Sequence, residues 1–305
     1  MNQRADRPKP LKERVDGVLL LDKPSGLSSN TALQRARRTL GAAKAGHTGT
    51  LDPLATGLLP LAFGESTKFS QSLLDADKAY EAVVRLGVMT TTGDSEGDVL
   101  QQRAVTCTAA DIVAMAEHFV GDIEQMPPMF SALKHKGRPL YEYAREGKDI
   151  ERKRRVITIR ELTCVPIDRE SFRMIVRCSK GTYVRTLAED IGEALGCGAH
   201  LTALRRTQIG RFCIADAVSL ESVEAQGLSA RRLLLPVDSL IGDLPVLLLE
   251  DDAAARIEHG QAAMLTGVAP GDYRLYHVER FVGLGELSED GTLRSRRLIA
   301  GTQGA

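Results

Sequence analysis

The side chain best placed to do chemistry is the carboxylate of Asp52, because of the segment around it. Gly46–Pro60 reads GHTGTLDPLATGLLP, with three glycines, three threonines and Pro53 directly after Asp52. Glycine permits tight turns and the close approach of a ligand, and a following proline pushes Asp52 towards extended conformations. This composition is untypical of a helix or an ordinary strand. We therefore expect a rigid loop that presents one carboxylate for nucleophilic or proton-transfer chemistry.

Three other interpretations of this loop compete. Asp-Pro is a common turn pair, because aspartate often bonds to its own backbone. A glycine-rich loop can bind phosphate, but neither GxxxxGK[ST] nor GxGxxG occurs here. A retaining glycosidase uses two carboxylates, and no second Asp or Glu accompanies Asp52 in the segment. The loop alone leaves Asp52 open between a turn former and a catalytic group.

Six segments, in order along the chain, resemble the motifs of the TruB family of tRNA pseudouridine synthases, and the Asp52 loop resembles its active-site motif. The other five are GVLLLDKPSGLSS at 17–29, KAY at 78–80, PPMFSALK at 127–134, CSKGTYVRTL at 178–187 and LTALRRT at 201–207. The resemblance covers about residues 15–215. It implies an α+β fold with a mixed sheet of the pseudouridine-synthase type, and an enzyme that acts on RNA.

The resemblance also implies roles for individual residues. Asp52 matches the catalytic aspartate and Arg185 the arginine that pairs with it. Tyr80 matches a tyrosine that stacks on the target base and guides the proton of C5. By the same match, His47 lies at the region that base flipping rearranges, and Tyr183 and Leu204 line the uracil pocket. Lys23 is a supporting residue of the site. Taken without the resemblance, Tyr80 would be a core residue of a strand and Arg185 an exposed arginine at a helix start.

Pseudouridine formation breaks the N1–C1′ bond of a uridine, turns the base and joins C5 to C1′. No atom is gained or lost, so we expect no cofactor and no metal, and the sequence shows no metal-ligand spacing. The implied substrate is the T-arm stem-loop of tRNA, with the uridine at nucleotide 55 flipped out of its stack. Attack by Asp52 at C1′, attack at C6 and removal of the C2′ proton all stay open. Another RNA stem-loop as substrate, or an RNA-folding chaperone, are the alternatives.

Short elements must position these residues. The apolar run Val18–Leu21 predicts a buried strand, and Ser28 or Ser29 can cap a helix that ends near Leu40. Alternating residues around Tyr80 predict a second strand. A helix over Tyr183–Leu195 would carry Arg185 in its first turn.

The chain divides by composition into three parts. Residues 1–14 read as a basic flexible arm, residues 15–244 as the catalytic domain, and residues 245–305 as a small β-barrel that the resemblance identifies as PUA-like. Within the catalytic domain, about residues 125–155 lack apolar periodicity and read as an RNA-clamping insertion. Lys134–Arg155 contains nine Lys or Arg against four Asp or Glu. We expect RNA to contact this insertion and the Arg205–Arg206 pair.

The overall composition is that of a globular protein. The 305 residues carry 40 basic and 40 acidic side chains, so any nucleic-acid surface must be local. Five scattered cysteines without a CxxC pair indicate a reducing compartment, and neither a signal peptide nor an 18-residue apolar run is present. We expect a cytoplasmic monomer without an obligate protein partner and without membrane association.

Overall fold

The structure, a computed structural model, describes residues 13–300. Residues 1–12 of the predicted basic arm lie outside the described residues. At the end of that arm, the backbone N–H of Glu13 donates to the carbonyl of Gly41. The strands up to residue 219 are β1 Gly17–Lys23, β2 Ala45–His47, β3 Thr56–Phe63, β4 Lys78–Leu86, β5 Val88–Thr90, β6 Val99–Gln102, β7 Gly121–Gln125, β8 Lys134–His135, β9 Arg138–Pro139, β10 Arg155–Pro166, β11 Ser171–Cys178, β12 Ala199–Ile209, β13 Phe212–Cys213 and β14 Val218–Ser219.

Seven α-helices and five 3-10 helices lie within the described residues. The α-helices are α1 Ser29–Thr39, α2 Ser70–Leu74, α3 Ala109–Met115, α4 Leu140–Arg145, α5 Val184–Ala194, α6 Leu220–Gln226 and α7 Asp251–Glu258. The 3-10 helices are Gly64–Phe69, Ala116–Phe119, Ile214–Asp216, Gly227–Leu233 and Val237–Ile241. None of the helices in residues 13–300 is long and apolar enough to cross a membrane.

A mixed sheet forms the larger part of the molecule. Its strands run in the order β14-β1-β3-β12-β4-β11-β10-β7, with β2 paired to β3 and β13 paired to β12. The pairs β12–β3 and β1–β14 are parallel and the other pairs are antiparallel. The almost wholly apolar β3 is buried nearly throughout, whereas β4 alternates, with Tyr80, Ala82 and Val84 inward. The predicted α+β class is confirmed.

The two helices that bear on the site follow their sequence signals. The side chain of Ser28 caps α1 by accepting from the Thr31 backbone N–H, which satisfies a donor that the helix leaves free. Leu187 and Ile191 of α5 are fully buried in the core of the mixed sheet. Tyr183 immediately precedes α5, so Arg185 is the second residue of the helix and lies in its first turn. Both predicted helices are present.

The segment predicted to lack periodicity, residues 125–155, is more structured than expected. It contains the short hairpin of β8 and β9 and the helix α4, whose Leu140 is buried. Gln125 itself is the last residue of β7 and is buried. Long irregular segments inside a domain are uncommon, and here local turns and one apolar anchor organise the segment.

A curled five-stranded sheet, a half-barrel, follows at the C-terminal end, in agreement with a PUA-like domain. Its strands are β15 Val246–Leu248, β16 Ala263–Met264, β17 Gly271–His277, β18 Arg280–Leu287 and β19 Thr292–Leu298, in the order β15-β17-β18-β19-β16. The rings of Phe69 and Phe281 lie 5.5 Å apart at its junction with the larger sheet. Asp238 accepts hydrogen bonds there from Arg274 and Tyr276. A domain boundary at residue 245 stays a prediction.

Candidate active site

The Asp52 loop is fixed to the start of α1 by one buried serine. The Ser29 hydroxyl donates to the Leu51 carbonyl at 3.0 Å and accepts from the Leu51 backbone N–H at 2.7 Å. On the other side of Asp52, the Pro53 carbonyl accepts from the Gly26 backbone N–H. The backbone is therefore held on both sides of Asp52, as the sequence predicts for a rigid loop.

Arg185 binds the Asp52 carboxylate from the start of α5. Its Nε lies 3.1 Å from Oδ2 of Asp52, and its side chain is 6% exposed, against 38% for Asp52. The remaining nitrogens donate to backbone carbonyls, Nη1 to Thr92 at 2.7 Å and Nη2 to Phe130 at 2.6 Å. The structure thus brings together two residues that are 133 positions apart in the sequence.

A second carboxylate, that of Asp94, lies on the other side of Arg185. Its Oδ2 is 3.6 Å from Nη1 of Arg185, and the side chain is 4% exposed. Thr92 and the Glu96 backbone N–H both donate to Oδ1 of Asp94. The sequence analysis found no second carboxylate with Asp52; in the folded chain Asp94 supplies one, shared through the guanidinium.

Opposing effects act on the pKa of Asp52. Burial raises it above the ordinary value, and the negative charge of Asp94 adds to this rise, whereas Arg185 and, more weakly, Lys23 lower it. Desolvation disfavours the carboxylate form and a neighbouring cation favours it. The contact with Arg185 therefore opposes the effect of burial and favours the ionised form of Asp52.

Lys23 supports the Asp52 loop through hydrogen bonds to backbone carbonyls. Its Nζ is fully buried and donates to the carbonyls of Leu27 at 2.6 Å, Pro24 at 3.0 Å and Pro53 at 3.4 Å. Burial lowers the pKa of Lys23 to about 8, against the charge of Asp52, which raises it. Lys23 therefore ties the turn after β1 to the residue that follows Asp52.

The predicted base-binding residues come from three different elements. Tyr80 is buried on β4 and Leu204 is buried on β12. Tyr183 precedes α5, where its backbone N–H donates to Gln125 at 2.7 Å and its carbonyl accepts from the same amide at 3.1 Å. Leu204 lines a cleft of about 400 Å³ together with Leu54, two residues after Asp52.

His47 is half-buried on β2, next to the loop. Its Nδ1 is buried and has no hydrogen-bond partner among the residues that the structure describes. Burial lowers the pKa of His47, and the nearby charge of Arg206 acts in the same direction. The imidazole is therefore neutral at pH 7.

Three family sequence models match the chain. They are TruB family pseudouridylate synthase (N terminal domain) over residues 37–184, tRNA pseudouridylate synthase B C-terminal domain over residues 185–242, and Pseudouridine synthase II TruB, C-terminal, over residues 245–299. A tRNA pseudouridine synthase B from Azoarcus sp. is 56% identical over 287 residues, 94% of this chain and 95% of that protein. Another from Burkholderia mallei is 54% identical over 302 residues, covering 96% and 97%. The chain belongs to the TruB family of pseudouridylate synthases.

Solved structures agree on the fold. A crystal structure of a Cbf5-Nop10-Gar1 complex matches with a TM-score of 0.70 at 25% identity, over 96% of this chain and 88% of that chain. An H/ACA RNP bound to a substrate RNA containing 2′-deoxyuridine matches with a TM-score of 0.71 at 24% identity, over 99% and 94%. The fold of this TruB-family chain is therefore shared with these proteins.

Arg206, by contrast, is not where the sequence analysis places it. We expected the Arg205–Arg206 pair of this TruB-family motif to face RNA, but Arg206 is 1% exposed. Only Arg205 reaches the surface, where its guanidinium contacts both carboxylate oxygens of Asp22. The alternation of β12 predicts this, since Leu204 and Arg206 share a face of the strand, and both are buried.

Two further residues of the site escaped the sequence analysis. Asp94 lies in a Gly/Thr/Asp loop that resembles a turn, and Gln125 ends an edge strand. Neither residue stands in a local sequence pattern that would mark it as part of a site. Asp94 contacts Arg185 and Gln125 contacts Tyr183, and both partners are distant in the sequence. No group of three or more His, Cys, Asp or Glu residues suited to a metal occurs in residues 13–300.

Proposed function

We propose that this protein converts a uridine in the T-loop of tRNA, at nucleotide 55, to pseudouridine, with Asp52 as the catalytic group. The observation that carries the proposal is the carboxylate of Asp52, partly exposed and held by the buried Arg185. The relatives named tRNA pseudouridine synthase B, at 54–56% identity over nearly the whole chain, support the substrate.

The reaction needs one carboxylate that stays ionised although it is largely surrounded by protein. Arg185 supplies the opposing charge, and its bonds to two carbonyls prevent it from following the substrate. As the N1–C1′ bond breaks, Asp52 attacks the nucleotide or takes a proton from its sugar. The base turns, C5 joins C1′, and the proton of C5 is replaced by one on N1.

The remaining predicted residues bind the flipped base. Tyr80 stacks on it and exchanges the C5 proton, while Tyr183 and Leu204 enclose the ring. His47, whose Nδ1 has no hydrogen-bond partner within residues 13–300, occupies the region that the base leaves or crosses. The exposed cations of the insertion contact phosphates, which position the RNA without reading its sequence.

The test is to map pseudouridine by mass spectrometry in tRNA incubated with the wild-type protein, Asp52→Asn and Asp98→Asn. Asp98 is an exposed carboxylate of the same loop as Asp94 and serves as the control. We expect modification at nucleotide 55 by wild type and Asp98→Asn. Asp52→Asn should bind tRNA with nearly unchanged affinity, since phosphate contacts dominate it, and form no product.

Residual single-turnover activity of Asp52→Asn within about tenfold of wild type would contradict the assignment of Asp52, because tenfold is only about 1.4 kcal/mol of transition-state stabilisation. Modification at another nucleotide, or of another RNA in place of tRNA, would contradict the assigned substrate. Gel filtration with and without tRNA tests the further proposal that a monomer acts without a protein partner. Fractionation of cells tests the proposed cytoplasmic location.

A further inference from the structure

Arg206 is a buried charge that no carboxylate neutralises in the part of the chain that the structure describes. It is among the largest fully buried side chains. Its Nε donates to the Leu58 carbonyl at 2.7 Å and its Nη2 to the Gly49 carbonyl at 3.4 Å. Burying a guanidinium with neutral partners only is costly. Proteins more often keep such a costly buried charge where the charge serves a function.

The strand pairing places Arg206 next to residues of the candidate active site. β12 lies between β3 and β4, and Arg206 is paired in register with Gly57 on one side and with Tyr80 on the other. A Cβ on Gly57 would lie 2.3 Å from the Arg206 carbonyl oxygen, and a Cβ on Gly49 would lie 3.5 Å from Nη1. Two glycines of the Asp52 motif therefore adjoin this one arginine.

Tyr80 and Arg206 stand directly opposite each other on β4 and β12, so their side chains leave the same face of the sheet side by side. Cys178 of β11 and Asp52 are the other titratable groups whose charge acts on the Tyr80 hydroxyl. Burial raises the pKa of Tyr80, Cys178 and Asp52 add to the rise, and Arg206 opposes it. Arg206 is thus the cation that favours negative charge on the Tyr80 oxygen.

Within residues 13–300, the charge of Arg206 also acts on the titration of three bases. They are His47 on β2, Lys23 on β1 and Lys78 on β4. The pKa of Lys78 is lowered to about 8 by burial first and then by Arg206, and Arg206 also lowers the pKa values of His47 and Lys23. Arg206, whose guanidinium does not deprotonate in proteins, is therefore the permanent charge of this group.

We propose that Arg206 is a positioning residue that holds the Tyr80 hydroxyl and stabilises its oxygen as an anion during proton exchange with the base. This rests on the proposed function of Tyr80. The isomerisation moves one proton from C5 to N1 overall. Tyr80 gives its hydroxyl proton to the nitrogen released from C1′, becomes a phenolate beside Arg206, and takes the proton from C5 after the C5–C1′ bond forms. Tyr80 ends as it began, so no other reactant is needed.

A role for Arg206 in binding a phosphate of the RNA does not fit its surroundings. The side chain is sealed from solvent, and two of its nitrogens donate to carbonyls of the protein. Reaching a phosphate would require β3 and the Asp52 loop to separate. The neighbour Arg205 is the residue of this pair that is exposed to solvent.

The experiment is a double-mutant cycle on the single-turnover rate with saturating enzyme. Arg206→Met and Arg206→Lys are made in wild type and in Tyr80→Phe. Arg37→Met is the control, since Arg37 also donates to two backbone carbonyls, those of Ala42 and Ala43, but lies in the last turn of α1 and not on the sheet. Thermal unfolding and tRNA binding are recorded for every variant.

We expect Arg206→Met to lower the rate about 100-fold in wild type and less than about threefold in Tyr80→Phe, since coupled residues are not additive. Arg206→Lys should lose about tenfold, and the loss should grow as the pH is raised, because a lysine buried beside Lys23 and Lys78 gives up its proton where a guanidinium does not. Affinity for tRNA should stay unchanged. Arg37→Met should turn over at the wild-type rate.

Equal losses in both backgrounds would show that Arg206 is only structural and would overturn the proposal. An Arg206→Lys rate equal to wild type, with no change in pH profile, would do the same, and this variant decides the matter if Arg206→Met fails to fold. If Tyr80→Phe alone matches wild type, the role of Tyr80 in proton exchange fails first and the Arg206 proposal with it. If Asp52→Asn is inactive in that case, the proposed function itself still stands.

Discussion

The Asp52 site and the basic insertion use charge in opposite ways. At the site, Arg185 and Arg206 are buried and fixed by backbone carbonyls. In the insertion, Lys134 and Lys136 are exposed, and Arg138 is paired to two glutamates on the surface. Buried charges are costly but act strongly on a neighbouring group. Exposed charges cost little and are screened, so they suit contact with a polyanion.

The two regions nevertheless touch at Arg185. Its Nη2 donates to the carbonyl of Phe130, which lies in the insertion. Gln125, at the start of the insertion, bonds to both backbone polar groups of Tyr183. Removing residues 125–155 would therefore disturb the site as well as the RNA surface. The difference between the regions has to be tested by substitutions.

Among the substitutions that compare the site with the insertion, Arg185→Lys should have the largest effect on rate. Lysine keeps the charge but cannot reach Asp52, Thr92 and Phe130 together, so we expect about 100-fold slower single turnover. The pKa of Asp52 should rise further, so part of the loss should be recovered as the pH is raised. Affinity for tRNA should not change.

Arg152→Lys is the matched control for this prediction. Arg152 lies in the insertion and also donates to two carbonyls and one carboxylate, those of Pro127, Ile150 and Asp149. Its replacement should leave the saturated rate within about twofold, since it touches no reacting group. Equal rate losses in Arg152→Lys and Arg185→Lys would remove the distinction between the two regions.

A smaller effect, on binding alone, should follow from neutralising four exposed cations of the insertion. We choose Lys134, Lys136, Lys153 and Arg154, all replaced by Gln. Each lost phosphate contact lowers the slope of log affinity against log salt by about 0.9, so the slope should fall by up to about 3 to 4. The saturated single-turnover rate should stay at the wild-type value.

The control for this prediction is Arg169→Gln with Arg177→Gln, two exposed arginines outside the insertion. Salt titrations of tRNA binding compare the two variants. An unchanged slope in the fourfold variant would mean that the insertion is an ordinary solvated surface.

Much of the fold could be read from the sequence because it depends on local patterns. The alternation of β4, the cap of α1 and the composition of the Asp52 loop each arise from interactions between neighbouring residues. A capping box is present at the start of α3, where Thr108 and Asp111 are bonded reciprocally, and it arises from residues only three positions apart. These features need no knowledge of the tertiary structure.

The features that escaped prediction depend on partners that are distant in sequence. Asp94 belongs to the site only because Thr92 and Arg185 meet there. For Arg206 two rules conflicted, since the alternation of β12 places it inward and its charge suggests the surface. The structure follows the alternation, because carbonyls of Leu58 and Gly49 accept from the guanidinium. Residues that break a compositional rule are often functional.

The smallest effect should come from Glu189, which lies between the two regions. It is one helical turn after Arg185 on α5 and lines a cavity of about 330 Å³ with Pro127, Phe130 and Arg152 of the insertion. Burial raises the pKa of Glu189 from 4.5 to about 7, against the charge of Arg185, which lowers it. The folded protein therefore holds this proton more tightly than the unfolded chain.

The sign of the pH dependence follows from this difference. Wild type should lose stability as the pH rises from about 4.5 to about 7, and no further above that. Glu189→Gln removes the loss, so it should stabilise the protein by about 1–2 kcal/mol at pH 8 and by much less at pH 5. Urea unfolding at pH 5, 6.5 and 8 measures this. Glu193→Gln, which removes an exposed pair with Arg103, should change stability by less than about 1 kcal/mol.

Turnover adds a second readout for Glu189. If the residue only fills the boundary between site and insertion, Glu189→Gln should leave the saturated rate at pH 7.5 within about threefold, since Asp52 keeps its contact with Arg185. A stability gain that is the same at every pH would show that the carboxyl group does not titrate in this range. A large loss of rate would instead show that Glu189 acts together with Asp52, Arg185 and Asp94 as a third carboxylate of the site. Glu189 would then belong to the site itself and not to its boundary with the insertion.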